Sequence, residues 1–147
     1  GVDGTVRLWD APTGAEQGAP LRGHQGLVES VAFSRDGTRL ASGGLDGTVR
    51  LWDAFTGTAQ GAPLRHEICV TSVAFSPDGT QLASTGGDGG TIAVWLWDAR
   101  TGAPLGAVSP MIGEYRIRSH KVLMMVTWGQ QSARPGERDP GDSWREF

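Results

Sequence analysis

Residues 3–10 and residues 46–53 carry the same eight letters, DGTVRLWD, and residues 88–98 carry a longer version, DGGTIAVWLWD. The two identical copies end at Asp10 and Asp53, a step of 43 residues. Other phrases return in the same order: QGAPLR at 17–22 and 60–65, VAFS at 31–34 and 73–76, DGT at 36–38 and 78–80, and LAS at 40–42 and 82–84. A period of about 40 residues with a fixed order of phrases indicates tandem structural units.

Each unit predicts four short β-strands. In the unit that spans residues 28–65, their sequences are VESVAFS, TRLASG, GTVRLWD and TAQGAPLR. Short runs rich in Val, Leu, Phe and Trp between glycine-containing turns are typical of strands. The Asp-Gly pairs at 36–37 and 78–79 supply the left-handed backbone that tight hairpins need. Because no segment keeps an apolar period of 3.6 residues, we expect almost no helix.

The predicted strands are apolar or small on both of their faces. Alternation places Val31 and Phe33 on one face and Ala32 on the other. Strands of this kind belong to sheets that lie between other sheets. Four-stranded sheets arranged radially around an axis meet that requirement.

These features resemble the WD-repeat β-propeller family. The unit that begins at Gly23–His24 carries the whole family pattern, through VAFSRDGTRLASGG to DGTVRLWD at Trp52–Asp53. The similarity extends over residues 1 to 106, and the wording is similar to that of long bacterial arrays. The resemblance implies an all-β chain that forms a partial β-propeller of four-stranded antiparallel blades, with two full blades, half a blade and an irregular C-terminal tail.

The predicted division of the chain follows the repeats. It comprises a half blade at 1–22, a full blade at 23–65, a full but irregular blade at 66–108, a decayed repeat or covering segment at 109–128, and a disordered tail at 129–147. The irregular blade has lost one glycine, since LRGH at 21–24 becomes LRH at 64–66. Propellers use about four to eight blades to close a ring, so we expect a fragment of a longer propeller.

A hydrogen-bonded tetrad of His, Ser or Thr, Asp and Trp is common in the blades of this family. Carried over to this sequence, the resemblance implies two such sets: His24, Ser42, Asp46 and Trp52 in one blade, and His66, Ser84, Asp88 and Trp95 in the next. Two alignments of the longer copy remain open, with either Trp95 or Trp97 in the tetrad. We favour Trp95, because the inserted Gly90 is easily absorbed in the turn. The choice matters, since a shift of one residue exchanges the two faces of a strand.

Composition argues against several classes of function. The net charge of −3 and the lack of a basic stripe do not favour nucleic-acid binding. No apolar run is long enough to cross a membrane. The three histidines have no carboxylate partners at ligand spacing, and GGDGG at 86–90 lacks the lysine of a phosphate-binding loop, so we expect no metal and no cofactor. A single cysteine, Cys69, gives no sign of an oxidising compartment, and we expect a cytoplasmic protein.

The order Asp, His and Ser also resembles a catalytic triad. A nucleophile occurs once in an active site, whereas this set recurs in each repeat. Its serine is predicted in the middle of a strand and not on an exposed turn. We therefore expect no enzyme.

Members of the resembled family serve as protein–protein interaction scaffolds, and the resemblance implies that role here. Contacts on the top rim would come from the loops at 23–27, 43–46, 66–69 and 85–89. Four residues are predicted to be exposed there: Gln25, Leu45, Glu67 and Thr85. Two alternatives stay open. One is a C-terminal segment or remnant of a larger bacterial regulator, an NTPase or kinase fused to WD repeats, with no independent activity. The other is a partial propeller that self-assembles through its open blade faces.

Overall fold

The computed structural model describes residues 2–87 and 92–108 of the 147-residue chain. Its strands are β1 (Thr5–Val6), β2 (Leu21–Arg22), β3 (Val28–Phe33), β4 (Arg39–Gly44), β5 (Thr48–Asp53), β6 (Leu64–Arg65), β7 (Val70–Phe75), β8 (Gln81–Gly87), β9 (Ile92–Asp98) and β10 (Pro104–Val108). Within these two ranges there is no helix, which confirms the all-β prediction. The predictions for 109–128, 129–147 and Asp88 fall outside the described residues.

The strands form three antiparallel sheets in chain order. Strands β1 and β2 pair alone and are called the half blade. Strands β3 to β6 form blade two, and strands β7 to β10 form blade three, each with consecutive strands as neighbours. Four-stranded antiparallel meanders that stack face to face are the blades of an open, partial propeller.

Glycine makes the turn between the first two strands of each full blade. Gly37 and Gly79 both have a φ of 72°, a left-handed conformation that side chains resist. In the first of these turns, Asp36 Oδ1 accepts hydrogen bonds from the Ser34 hydroxyl at 2.6 Å and from the Thr38 N–H at 3.1 Å. The repeated DGT sequence is therefore a repeated turn.

Blade two and blade three share a closely packed interface. We call the face of a blade toward the preceding repeat its rear face, and the opposite one its forward face. The side chains buried between the two blades include Ala41, Val49 and Leu51 from the forward face of blade two, and Val70, Val73, Phe75 and Leu82 from the rear face of blade three. Burying a side chain the size of Val, Leu or Phe stabilises a fold by about 1.5–3 kcal/mol, so this interface is a main source of stability.

The half blade covers only part of the rear face of blade two. Val6 and Leu21 pack there against Leu40 and Trp52. Among the described residues, nothing covers the rear side of the inner strand β3, because the half blade contributes only the two outer strands of a blade. Phe33 on β3 is 56% exposed, whereas its counterpart one repeat later, Phe75, is 4% exposed. The two rear faces therefore have the same sequence pattern but differ in what covers them.

Candidate functional site

A chain of buried hydrogen bonds runs across blade two. The Trp52 indole N–H donates to Ser42 Oγ at 2.8 Å, and the Ser42 oxygen lies 2.7 Å from His24 Nε2. His24 Nδ1 lies 3.1 Å from both carboxylate oxygens of Asp46. An indole can only donate, so the serine hydroxyl is free to donate to Nε2, and Nδ1–H then donates to Asp46. Every polar side-chain atom of this buried chain therefore has a partner, as a low-dielectric interior requires.

Asp46, the last residue in this series of hydrogen bonds, joins two loops. Its carboxylate accepts from the Gln25 N–H at 2.8 Å, from the Thr48 N–H at 3.0 Å and from the Thr48 hydroxyl at 2.8 Å. Burial opposes the ionisation of Asp46, but the hydrogen bonds from Gln25, Thr48 and His24 outweigh it and lower the pKa to about 2. The ionised carboxylate thus holds the loop at 23–27 against the turn between β4 and β5.

Ser42, the serine in this series of hydrogen bonds, is not placed to attack a substrate. Ser42 is 0% exposed, and its oxygen is already engaged by both Trp52 and His24. A nucleophile must reach the reacting atom of a substrate. The arrangement instead satisfies polar groups between sheets.

Blade three contains the same series of hydrogen bonds, with Trp97 as the indole donor. The prediction that Trp95 belongs to the tetrad is therefore wrong. Ser84 Oγ lies 2.7 Å from His66 Nε2 and accepts the Trp97 indole N–H at 2.7 Å. The strand register gives the reason. Trp97 pairs with Leu82 as Trp52 pairs with Leu40, whereas Trp95 stands directly opposite Ser84.

The extra residues of the third copy lengthen a hairpin and leave the strand register at the Trp-Asp end unchanged. The ladder between β4 and β5 runs from the pair Arg39–Asp53 to the pair Gly43–Val49. The ladder between β8 and β9 begins at the matching pair, Gln81–Asp98, and continues two pairs further. Because hairpin ends can grow without disturbing the rest of a sheet, the insertion is absorbed at that end.

Trp95 occupies the position that Arg50 holds in blade two. Its ring is stacked on that of Trp97, with 6.0 Å between centroids, and lies edge-on to His66 at 5.6 Å. In blade two the Arg50 guanidinium crowds Gly23, where an added Cβ would lie 2.6 Å from Nη1. Blade three lacks both that arginine and that glycine, so the two sequence changes are spatially linked.

His66 differs from His24 at its second ring nitrogen. Among the residues that the structure describes, the buried Nδ1 of His66 has no hydrogen-bond partner. Burial lowers the pKa of His66 to about 4, because it disfavours the charged ring. His66 is therefore neutral at physiological pH.

Three of the four predicted rim residues are exposed. Gln25 and Glu67 are on the surface, and Leu45 is 46% exposed. Thr85 is 2% exposed, so its prediction as an exposed contact is wrong. The reason is that β8 continues to Gly87, which places Thr85 inside the strand and opposite Val94.

Sequence reasoning missed the contribution of Arg39. Its Nη1 donates to the Ala99 carbonyl at 2.7 Å and its Nη2 to the Gly79 carbonyl at 2.6 Å. Its guanidinium carbon lies 5.3 Å from the centroid of the Phe75 ring. The available signal was the single difference between TRLAS at 38–42 and TQLAS at 80–84. Arg39 thus connects blade two to blade three.

Residues 2–87 and 92–108 contain neither a metal-binding cluster nor a membrane-spanning helix. No group of three or more His, Cys, Asp or Glu side chains is arranged to hold a metal ion. No helix in these ranges is long and apolar enough to cross a membrane.

Comparison with known proteins agrees with this geometry. The family described as "WD domain, G-beta repeat" matches residues 16–53 and 62–95, and the second match ends inside β9. A stretch of 40 residues is 52% identical to Coronin-7 of Mus musculus and covers 27% of this chain. This chain spans only 4% of the length of Coronin-7. The repeats at 16–53 and 62–95, and the blades that they form, are those of the WD-repeat family.

Proposed function

We propose that this chain is a non-enzymatic protein-interaction scaffold that contacts its partners through the loops at the histidine-bearing edge of its blades. WD repeats are a domain type that serves protein interaction, and the family is generally non-catalytic. The contact residues proposed are Gln25, Leu45 and Glu67.

One observation carries this proposal: two loops that hydrogen bonds join to each other present exposed side chains. The Asp46 carboxylate holds the Gln25 N–H at 2.8 Å, while the Gln25 side chain remains exposed. The Leu45 N–H donates to the Leu27 carbonyl at 2.9 Å, so the same two loops are joined a second time. Binding to a loop that is already ordered loses less conformational entropy, which favours affinity.

The chemistry of the proposed rim is mixed. Leu45 offers an exposed apolar side chain, Gln25 a neutral hydrogen-bonding group and Glu67 a negative charge. An apolar centre with polar neighbours is common in protein interfaces. A partner segment with an apolar residue beside a basic one would be complementary.

Selection of binding peptides tests the proposal. A displayed peptide library is selected on the full chain, and the selected peptides are then measured against Leu45→Glu and against Gln60→Glu. Gln60 is exposed on the segment between β5 and β6, so its variant adds the same charge elsewhere. We expect Leu45→Glu to weaken binding at least about tenfold, which is about 1.4 kcal/mol, and Gln60→Glu to leave it unchanged. Equal binding to both variants would refute the proposed rim.

A further inference from the structure

A cleft of about 690 Å³ lies between the outer strands of blade two and blade three. One wall is residues 60–65, which include β6, and the other is the turn at 99–102, between β9 and β10. The walls approach closely at Gly102, where an added Cβ would lie 2.9 Å from Leu64 Cδ2. A Cβ at Gly61 would meet nothing within 4 Å. The cleft is therefore narrow at Gly102 and open at Gly61.

Both walls of this cleft belong to full blades of the chain, in which all four strands are described. A further repeat on either side would stack on the rear face of blade two or on the forward face of blade three. Neither addition would remove or cover the walls at 60–65 and 99–102. The cleft is thus a property of two consecutive blades.

Three arginines line the cleft: Arg39, Arg65 and Arg100. None of its described lining residues is acidic. The two ion pairs found in the described part of the chain involve other residues. Because a guanidinium group keeps its positive charge in proteins, the cleft concentrates positive charge on a chain whose net charge is −3.

Two aspartates interact electrostatically with these arginines, but both are hydrogen-bonded within their own turns. Asp98 accepts the Arg100 N–H at 2.9 Å and the Thr101 N–H at 2.7 Å. Hydrogen bonds from Thr101 are the main reason that the pKa of Asp98 is lowered, and the charge of Arg100 contributes less. Asp36, whose charge acts on Arg39, also accepts its hydrogen bonds from its own turn. Neither carboxylate lines the cleft, so the arginines stay available to a carboxylate that enters it.

Arg39 is already held in place and still has donors for a ligand. Its Nη1 donates to the Ala99 carbonyl and its Nη2 to the Gly79 carbonyl. A guanidinium has five N–H donors, and neutral carbonyl acceptors do not remove its charge. A side chain that is ordered before binding loses less conformational entropy when a ligand arrives.

The strand pairing places the positive charges at two ends of the cleft. Arg65 pairs with Thr48 at the start of β5, and Arg39 pairs with Asp53 at its end. Arg100 lies at the Arg39 end, because the carbonyl that precedes it accepts from Arg39. The five-residue step from Thr48 to Asp53 corresponds to about 16 Å along a strand. An extended peptide spans that distance with about six residues.

The wall between these two ends is mainly apolar, with Leu51, Pro63 and Leu64. Trp97 is the aromatic residue among the described lining residues, but it is 5% exposed and offers no face on which a base can stack. Charges at both ends of an apolar stretch suit a peptide whose acidic residues flank apolar ones. A nucleic-acid strand, which carries a phosphate at every nucleotide, fits this pattern less well.

Arg100 gives this cleft a charge that the preceding one lacks. The turn phrase is DAPTG at 10–14, DAFTG at 53–57 and DARTG at 98–102, so that its third letter changes in every copy. In the corresponding cleft between the half blade and blade two, Phe55 occupies the place of Arg100. Arg7 also lines that cleft, but it is paired with Glu16 at 2.8 Å.

We propose that the cleft between blade two and blade three binds an extended acidic segment of a partner protein. Carboxylates at one end of the segment pair with Arg65, those at the other end pair with Arg39 and Arg100, and apolar residues between them contact the wall. The site is separate from the proposed rim of Gln25, Leu45 and Glu67. Leu45→Glu should leave it intact, so the failure of either proposal leaves the other standing.

The test uses three blocked peptides: EELAVEE, the uncharged QQLAVQQ, and LAEEEEV, which has the composition of the first with its charges together. Each is titrated into the full chain, uniformly labelled with ¹⁵N, and followed by NMR. We expect EELAVEE to shift the amide signals of Gly61, Leu64 and Gly102. QQLAVQQ should bind at least about tenfold more weakly, because it loses every ion pair. LAEEEEV should bind several times more weakly, because its charges reach only one end of the cleft at a time.

Variants of the chain place the binding at the cleft. Arg65→Gln and Arg100→Gln should each weaken EELAVEE about twofold to fivefold. Arg22→Gln is the matched control, because Arg22 is exposed at the same place in the preceding repeat and does not line this cleft, and it should leave the affinity unchanged.

Four results would overturn the proposal. They are equal binding of EELAVEE and QQLAVQQ, equal binding of EELAVEE and LAEEEEV, and an effect of Arg22→Gln as large as that of Arg65→Gln. The fourth is a short single-stranded oligonucleotide that shifts the same amides at a lower concentration than EELAVEE, since the occupant would then be a nucleic acid.

Discussion

Blade two and blade three contain the same hydrogen-bonded core but differ at one edge. Both join His, Ser and Trp through a serine oxygen that is 2.7 Å from the imidazole. In blade two, Arg50 lies beside Gly23. In blade three, Trp95 replaces that arginine, the glycine is gone and the hairpin is longer. The repeat thus tolerates sequence changes at the hairpin that joins its second and third strands. The strand pairing at the opposite, Trp-Asp end is the same in both blades.

The largest effects are expected where the two blades agree. Trp52→Ala and Trp97→Ala each remove a buried side chain and its hydrogen bond, and should lower the free energy of unfolding by about 3–5 kcal/mol. Trp95→Ala, which removes a half-buried ring, should lower it by only about 1–2 kcal/mol. Urea denaturation followed by circular dichroism measures all three. A larger loss for Trp95→Ala than for Trp97→Ala would contradict the assigned register.

His66 gives the stability of blade three a dependence on pH. The pKa of His66 is lowered to about 4 in the folded chain, below its ordinary value of 6.5. Between these values the unfolded chain binds more protons, so stability is complete above pH 6.5 and falls as the pH drops toward 4. Protonation of this one group should lower the free energy of unfolding by an amount on the order of 3 kcal/mol between pH 6.5 and pH 4.

His66→Gln isolates this contribution. Its denaturation midpoint should change less with pH between 6.5 and 4 than that of the unsubstituted chain. Identical pH profiles for the two proteins would show that His66 is not held neutral by burial.

Arg39 and Gln81 occupy the same place in successive blades but only Arg39 binds across an interface. Arg39→Met should lower the free energy of unfolding by about 1.5–3 kcal/mol, because it leaves the hydrogen bonds to Ala99 and Gly79 unmade. Gln81→Met is the matched control and should stay within about 0.5 kcal/mol. Equal effects of the two substitutions would contradict a specific role for Arg39.

Gly43 lies on the forward face of blade two and tests how closely that face packs against blade three. Gly43→Ala would place a Cβ 2.6 Å from Val70 and 2.9 Å from Val73, and should lower the free energy of unfolding by about 1–3 kcal/mol through overpacking. A Cβ at Gly26 would lie 3.6 Å from its nearest atom, so Gly26→Ala should change the free energy of unfolding by less than about 0.5 kcal/mol. Thermal unfolding of both variants checks this, and a stabilised Gly43→Ala would count against close packing of the blades.

The repeated parts of the fold could be predicted from the sequence. The phrases VAFS, DGT and LWD predicted strands, turns and the family, because they return in the same order in successive units. The assignment of His24, Ser42 and Trp52 to one set came from the family pattern, and the structure brings these residues together.

What the sequence did not predict depends on contacts between units. Trp95 and Trp97 both fit the local pattern, and only the pairing of β8 with β9 separates them. Thr85 was expected in a loop because the extension of β8 to Gly87 is not visible in its own residues. Arg39 resembles any surface arginine until blade three supplies its acceptors.

Hydrogen exchange of the indole N–H groups tests the central claim, that blade three keeps the register of blade two at its Trp-Asp end. The measurement compares the unsubstituted chain with Ser84→Ala by two-dimensional NMR in D₂O. Because the Trp97 indole donates to buried Ser84 at 2.7 Å, its exchange should be slow and should accelerate in Ser84→Ala, while that of Trp95 should not change. Acceleration at Trp95 with no change at Trp97 would contradict the account.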